Sequence, residues 1–143
     1  MTGALEVELL SVIDDASLSA SECLKKMFSL IIDECEKNSK LFKILLLYVI
    51  QLQKSGVNPG DRVARRVIRM QHLMSTVIIR GQKCGQIKSL AVRKIDELLY
   101  SLMESMIFRL SVLGREDVSE CRNIINFAVD MISTDAETLT VRA

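Results

Sequence analysis

The segment between Ser89 and Gly114 constrains the fold more than any other, because it has the pattern of one long, uninterrupted amphipathic helix. Ser89 is a typical N-cap residue, and Gly114 is typical of the position just past a helix end. Its apolar residues recur at helical spacing and cover an arc wider than the ~100° stripe that a single core requires. So broad an arc predicts an intramolecular core and a second contact surface. The residues of this arc are Ala91, Val92, Ile95, Leu98, Leu99, Leu102, Met103, Met106, Leu110 and Leu113.

Caps and helix-breaking residues divide the rest of the chain in the same way. Ser19 and Glu22 form a capping box, Asn38 and Ser39 interrupt the next apolar pattern, and Pro59 suits a first helical turn. Aromatic residues, which strands favour, make up only 4% of the chain. We therefore predict an all-α, single-domain helical bundle of about six helices. The helices are predicted near 4–14, 20–37, 40–54, 60–84, 90–113 and 118–133, within a bundle over 1–133 and before a frayed tail over 134–143.

Two glycines, Gly81 and Gly85, interrupt the helical pattern within the stretch Ile78–Ser89. A phosphate-binding loop would follow a strand and would have a different glycine spacing. We interpret the stretch as a joint between helices, with Gly85 in the left-handed conformation that ends many helices. Cys84 lies among basic residues that favour its thiolate, so a redox-sensing role is the alternative to an inert thiol.

The sequence contains no pattern that predicts catalysis or metal binding. His72, the single histidine, is predicted on the polar side of its helix, with contact to a ligand as the alternative. No set of His, Cys and carboxylate residues has zinc-ligand spacing, and no nucleophile is paired with a base. Asp96, Glu97 and Glu104 are interpreted as a solvated face. We expect no enzyme, no cofactor and no metal.

Charge and hydropathy limit the partners of the chain. A net charge of +1 is too small for a domain that binds nucleic acid by itself, so we expect no direct DNA binding. The apolar run Ile44–Ile50 is far shorter than the ~20 residues that cross a bilayer, so we expect no membrane partner. The acidic start is unlike a signal peptide, and four widely spaced cysteines indicate reduced thiols. We predict a cytoplasmic protein.

Three stretches carry a family resemblance. "CEKNSKLFKILLLY" is a helix end, a few polar residues and a Leu- and Phe-rich helix, and "VIIRGQKCGQIKSLAVRKIDELLYSLMESMIFRLSVLG" is an arginine-glycine joint with a long helix. "EDVSECRNIINFAVDMIS" is a last helix. Together they resemble the C-terminal regulatory domain of the tetracycline-repressor-like (TetR) family of transcriptional regulators, over roughly residues 5–133. Family members also carry an N-terminal helix-turn-helix domain, and no stretch here has that pattern. We interpret the chain as a fragment or a natural short form.

The resemblance implies a domain that senses a small, largely apolar effector, which would control DNA binding by the N-terminal domain of an intact family member. The effector cavity would be enclosed by the helices near 20–37, 40–54, 60–84 and 90–113, and methionines suit such an adaptable lining. The candidate ligand-binding residues are Phe28, Leu45, Tyr48, Met70, Met74, Leu98 and Leu102, with Tyr48 as a polar anchor. The alternative is a ligand-free helical dimerisation or adaptor module, whose methionines fill a core.

A homodimer is predicted from the broad apolar arc, and the resemblance implies the same pairing. The interface would consist of the helices near 90–113 and 118–133 from each of two copies. In a twofold symmetric interface the same surface of both copies is used, so residues near the axis meet their own counterparts. The candidate interface residues are Leu99, Met103, Ile107, Ile124 and Ala128.

Overall fold

The computed structural model describes residues 3–38, 40, 61–110 and 118–134. Within these residues the chain forms five α-helices and no strand. The helices are α1 (Gly3–Ile13), α2 (Ala20–Lys37), α3 (Asp61–Lys83), α4 (Val92–Phe108) and α5 (Val118–Ile132). The all-α class is confirmed for the described part of the chain. The helix predicted near 40–54 lies outside the described residues, so the count of six stays a prediction.

Helix α2 occupies the centre of the fold, because it packs against each of the other four described helices. Its predicted capping box is confirmed. The Glu22 backbone N–H donates to Ser19 Oγ at 3.2 Å, and the Ser19 backbone N–H donates to Glu22 Oε1 at 3.3 Å. The helix ends at the C-cap residue Asn38, where the sequence pattern also breaks. Its buried residues are Ala20, Cys23, Leu24, Met27, Phe28, Ile31, Ile32 and Cys35.

The joint between α3 and α4 is a Schellman motif, in which two backbone N–H groups beyond a helix end bond to carbonyls of its last turn. The Gln86 N–H donates to the Gly81 carbonyl at 2.7 Å, and the Gly85 N–H donates to the Gln82 carbonyl at 3.1 Å. Gly85 has a φ of 71°, the left-handed conformation predicted for it. Ile87, two residues after Gly85, is only 1% exposed. The joint therefore inserts one apolar side chain into the core.

Helix α4 begins at Val92, with Ala91 as its N-cap, so the predicted cap at Ser89 is wrong. The reason is that tertiary hydrogen bonds hold the backbone before Ala91 in a turn. The Lys88 N–H donates to the Ile132 carbonyl at 2.8 Å, and the Gln82 side-chain amide donates to the carbonyls of Lys88 and Leu90. Ser89 lies in this turn and is exposed.

The joint also connects helix ends that are distant in sequence. Gln86 accepts a hydrogen bond from the Ala20 N–H at the start of α2, through its side-chain Oε1 at 2.8 Å. The backbone of Thr134, after the end of α5, donates to the Gln86 carbonyl at 3.1 Å. Arg80, in the last turn of α3, donates to the Ile13 carbonyl at the end of α1. Four helices are thus linked around the C-terminal end of α3.

Candidate functional site

The predicted ligand-binding residues do not share one environment. Leu45 and Tyr48 lie outside the described residues. Phe28, Met70 and Met74 are buried in the core, with exposures of 1%, 3% and 1%. Leu98 is 49% exposed and Leu102 is partly buried, both on α4.

The predicted interface residues also differ among themselves. Leu99 and Met103 are 0% and 4% exposed and lie in the core of the single chain, so they leave little surface for a partner. Ile107 and Ala128 are partly buried and pack against that core. Ile124 is also of intermediate exposure.

An outward apolar surface extends across α4 and α5, and we call it the outer face. A small hollow of about 120 Å³ shows that the two helices adjoin, because Leu102 and Ser105 of α4 line it together with Ile124 of α5. Leu98 lies one turn before Leu102 on the same side of α4, since residues four apart share a helix side. The outer face consists of Leu98, Leu102, Ile124, Phe127, Ala128 and Met131, of which Phe127 and Met131 are 66% and 50% exposed.

The outer face differs from the predicted interface in a simple geometric way. Successive residues of a helix are separated by about 100°, so Leu98 and Leu102, four positions apart, lie on nearly the same side of α4. Leu99 lies about a quarter turn from Leu98 and points to the core. Of the predicted interface residues, Ile124 and Ala128 belong to the outer face. Phe127 and Met131, which were not predicted, are more exposed than either. The broad apolar arc of α4 thus contains both core residues such as Leu99 and the half-exposed Leu98.

A second surface feature is a groove between α2 and α5, which we call the α2–α5 groove. It has a volume of about 420 Å³. Its floor includes the buried apolar residues Phe28, Ile32 and Ile125. Its full lining is Leu18, Glu22, Lys25, Lys26, Phe28, Ser29, Ile32, Arg122, Ile125 and Asn126.

Two ion pairs bridge α2 and α5 beside this groove. Lys25 Nζ lies 2.7 Å from Asp130 Oδ1, and both side chains are largely shielded, with exposures of 26% and 12%. Arg122 donates to Ser29 Oγ at 2.6 Å and pairs with the Asp33 carboxylate. No sequence signal identified these pairs, because their partners lie about ninety or more positions apart along the chain. The nearest sequence indication of these ion pairs is that charged residues flank the apolar stripes of α2 and α5.

Asp96 corrects one sequence interpretation. It was placed on a solvated face with Glu97 and Glu104, but it is partly buried on α4. Burial raises the pKa of its carboxyl group, against the effect of a hydrogen bond with Ser75 of α3. Its Oδ1 atom has no hydrogen-bond partner within the described part of the chain. Asp96 therefore belongs to the packed boundary between α3 and α4.

The thiols separate into a buried group and an exposed one. Cys23, Cys35 and Cys121 are buried, and Cys84 on the joint is exposed. Burial is the main cause that raises the pKa of Cys35 to about 12, and it also raises the pKa of Cys23. Cys23 and Cys35 therefore stay protonated at neutral pH. His72 is exposed on α3.

In the described part of the chain, no group of three or more His, Cys, Asp or Glu residues could hold a metal ion. No helix in the same part of the chain is long and apolar enough to cross a membrane.

No family model, curated protein or solved structure matches the chain. The likeness to TetR regulators therefore depends on the three sequence stretches alone.

Proposed function

We propose that this chain is the effector-sensing and dimerisation domain of a TetR-like transcriptional regulator. It binds a small, largely apolar ligand and forms a homodimer, and in a protein that also carries an N-terminal DNA-binding domain the ligand controls DNA binding. The observation that carries the proposal is the outer face, where Leu98, Phe127 and Met131 are between 49% and 66% exposed on two adjacent helices. Contiguous exposed apolar surface is typical of protein interaction sites.

A second copy of the chain is the natural partner for the outer face. A twofold axis would pack α4 and α5 of one copy against the same helices of the other, which gives a four-helix interface. Exposed aromatic and methionine side chains, such as Phe127 and Met131, are enriched in the cores of such interfaces. This arrangement uses the helices named by the sequence prediction, with a different set of side chains at its centre.

The effector part of the proposal has a rival that one observation favours. Met70 and Met74 are 3% and 1% exposed within the core, as expected for methionines that fill space. A ligand-free dimerisation or adaptor module would have the same feature. An effector acts only if it binds one of two conformations more tightly, so ligand binding itself must be measured.

Sedimentation analysis of matched variants tests the dimer. Phe127→Glu places a charge on the outer face, and Val7→Glu places one on α1 at a residue of similar exposure, 67% against 66%. We expect a dimer for the unmodified chain and for Val7→Glu, and we expect Phe127→Glu to weaken dimer association at least tenfold, about 1.4 kcal/mol. The proposal is contradicted if the unmodified chain is a monomer at tens of micromolar, or if the two variants have equal effects.

A thermal-shift screen with small apolar compounds tests the effector. A ligand that binds the folded state raises the melting temperature, and the increase grows with ligand concentration. A dimer that no compound stabilises would support the adaptor module instead.

A further inference from the structure

We propose that Cys35 of α2 and Cys121 of α5 form a thiol pair that a hydroperoxide oxidises to a disulfide, which fixes α5 on α2. The pair is distinct from Cys84, the exposed thiol of the joint. The inference does not depend on the proposed dimer or effector, because it concerns two side chains of one chain.

The two ion pairs between α2 and α5 show that these helices are antiparallel. Lys25 pairs with Asp130. Eight positions later on α2, Asp33 pairs with Arg122, which lies eight positions earlier on α5. A step towards the end of α2 therefore corresponds to a step towards the start of α5.

This arrangement brings the two thiols to the same level of the helix contact. The buried residues Ile32 of α2 and Ile125 of α5 both line the α2–α5 groove, so they mark the sides on which the two helices meet. Cys35 lies three residues after Ile32, and Cys121 lies four residues before Ile125, so each is one turn further along the same side of its helix. Because the helices are antiparallel, both turns lead in the same direction.

The environment of the thiols agrees with this placement. Cys35 and Cys121 are 0% and 3% exposed. Burial is the main cause of the raised pKa of Cys35, and electrostatic effects of Glu34 and Cys121 raise it further. An effect of one thiol on another requires that they are close neighbours. A disulfide carries no charge, so its formation in this core avoids the cost of a buried ion.

Cys121 is the thiol that a small oxidant reaches first. It lines the hollow of about 120 Å³ between α4 and α5, beside the exposed residue Ser105. A hollow of this volume admits water, and hydrogen peroxide is only slightly larger, whereas glutathione disulfide is far too large to enter. Cys35 is fully enclosed, so it reacts with the oxidised sulfur of Cys121.

The reaction has two steps and uses one hydroperoxide. The Cys121 sulfur attacks an oxygen of hydrogen peroxide, the O–O bond breaks, and the departing hydroxide takes the Cys121 proton to give water. Cys121 is then a sulfenic acid. The Cys35 sulfur attacks the Cys121 sulfur, the S–O bond breaks, and the hydroxyl group leaves with the Cys35 proton as a second water. The two thiols lose two electrons, which the peroxide gains.

The disulfide would change the stability of the fold. A bond between residues 35 and 121 closes a loop of more than half the chain. Such a loop restricts the unfolded chain and thereby stabilises the folded one. Since α5 also carries Phe127 and Met131 of the outer face, oxidation fixes that part of the face relative to α2.

The experiment exposes the full chain with Cys84→Ser to hydrogen peroxide, at a dose that oxidises Cys84 in the unmodified chain. We expect free thiols, counted after denaturation, to fall from three to one, and peptide mass spectrometry to find a link between Cys35 and Cys121. The midpoint of thermal unfolding should rise by about 5–15 °C, and dithiothreitol should reverse the rise. Glutathione disulfide at the same concentration should leave the pair reduced.

Three alanine variants assign the role of each thiol. In Cys35→Ala, dimedone should trap a sulfenic acid at Cys121, whereas in Cys121→Ala, Cys35 should stay reduced. Cys23→Ala is the matched control and should still form the disulfide, because Cys23 is buried on α2 but contacts the Val12 carbonyl of α1 and Arg80 of α3. Circular dichroism checks that each variant is helical.

The inference is overturned if Cys35 and Cys121 stay reduced, if either of them links to Cys23, or if Cys121 is oxidised without a link to Cys35. A sulfenic acid on Cys35 in Cys121→Ala would also overturn the assigned order of the steps. If an alanine variant does not fold, the link found in the Cys84→Ser protein decides the question. None of these outcomes affects the sedimentation or ligand-screening tests of the proposed function.

Discussion

The joint between α3 and α4 and the outer face both contain large apolar side chains, but these side chains differ in their exposure to solvent. Ile87 of the joint is 1% exposed, whereas Phe127 of the outer face is 66% exposed. The joint is bound by hydrogen bonds to the backbone of α2, through the Gln86 side chain, and to the backbone of α5. The joint is therefore held by its own chain, whereas the outer face stays exposed and is the surface that we propose for a second copy.

The largest effect on stability is expected at Ile87, because truncation of this buried side chain should destabilise the joint. Ile87→Ala leaves a cavity beside Gly81, and we expect a loss of about 2–5 kcal/mol in the free energy of unfolding. Leu90→Ala is the control, because Leu90 belongs to the same joint but is 52% exposed, and it should change stability by less than about 0.5 kcal/mol. Urea unfolding followed by circular dichroism measures both. Equal effects would show that the joint is not part of the core.

Gly81 is the next test, because it allows two chain segments to approach closely. A Cβ atom at this position would lie 2.6 Å from Ala20 Cβ and 2.7 Å from Ile87 Cδ1. We expect Gly81→Ala to cost about 1–3 kcal/mol through overpacking, although alanine is ordinarily the better helix residue by about 1 kcal/mol.

A double variant that moves one methyl group from position 20 to position 81 tests the same close approach. In the double variant Gly81→Ala with Ala20→Gly, the nearest clash is removed, so part of the lost stability should return beyond the sum of the single effects. If Gly81→Ala stabilised the protein, the close approach of α3, α2 and Ile87 would be wrong.

The buried thiol of Cys35 predicts a smaller effect that depends on pH. Its pKa is raised from 9.0 to about 12, so above pH 9 the unfolded state loses this proton while the folded state keeps it. The free energy of unfolding should therefore be unaffected by this group below pH 9 and should fall by about 1–2 kcal/mol between pH 9 and 10.5.

Two alanine variants isolate that effect. Cys35→Ala should reduce the alkaline slope of stability, whereas Cys84→Ala, at the exposed thiol of the joint, should keep the slope of the unmodified chain. Identical slopes in all three proteins would show that Cys35 is accessible to solvent.

The smallest effect on folding is expected on the outer face. Phe127→Gln and Leu98→Gln replace side chains that are 66% and 49% exposed, so the isolated chain should change in stability by less than about 0.5 kcal/mol. The measurement is urea unfolding at the lowest workable protein concentration, since a dimer adds stability that grows with concentration. A loss above about 1.5 kcal/mol would mean that the outer face packs within its own chain, and the contrast with the joint would disappear.

Local signals in the sequence were sufficient for much of the helical framework. The Ser19–Glu22 capping box and the left-handed Gly85 are set by groups a few residues apart, and both are present as predicted. Helix α2 begins and ends at its predicted bounds, and α1, α3 and α5 end within one residue of theirs. The predicted cap of α4 was wrong, because a long-range hydrogen bond from the Lys88 N–H to the Ile132 carbonyl, together with bonds from the nearby Gln82 side chain, outweighs the local preference of Ser89.

The candidate sites were less predictable, for a related reason. The wide apolar arc of α4 indicated two contact surfaces but not which side chain belongs to which. Leu98, predicted to line the cavity, is 49% exposed, and Leu99, predicted for the interface, is buried in the core. The α2–α5 groove was not foreseen, because its lining comes from Glu22 and its neighbours on one helix and from Arg122 and its neighbours on another. Spacing along a single helix does not reveal how two helices are turned towards each other.

By itself, then, the sequence determined the helical class, the position of the joint and the presence of more apolar surface than one core needs. These properties follow from propensity, capping and periodicity, which act over a few residues. The tertiary structure alone decided that Ile87 is buried, that Lys25 meets Asp130, and that Phe127 and Met131 face outwards. Those outcomes depend on how helices far apart in the chain pack, and packing is a property of the whole core rather than of any one segment.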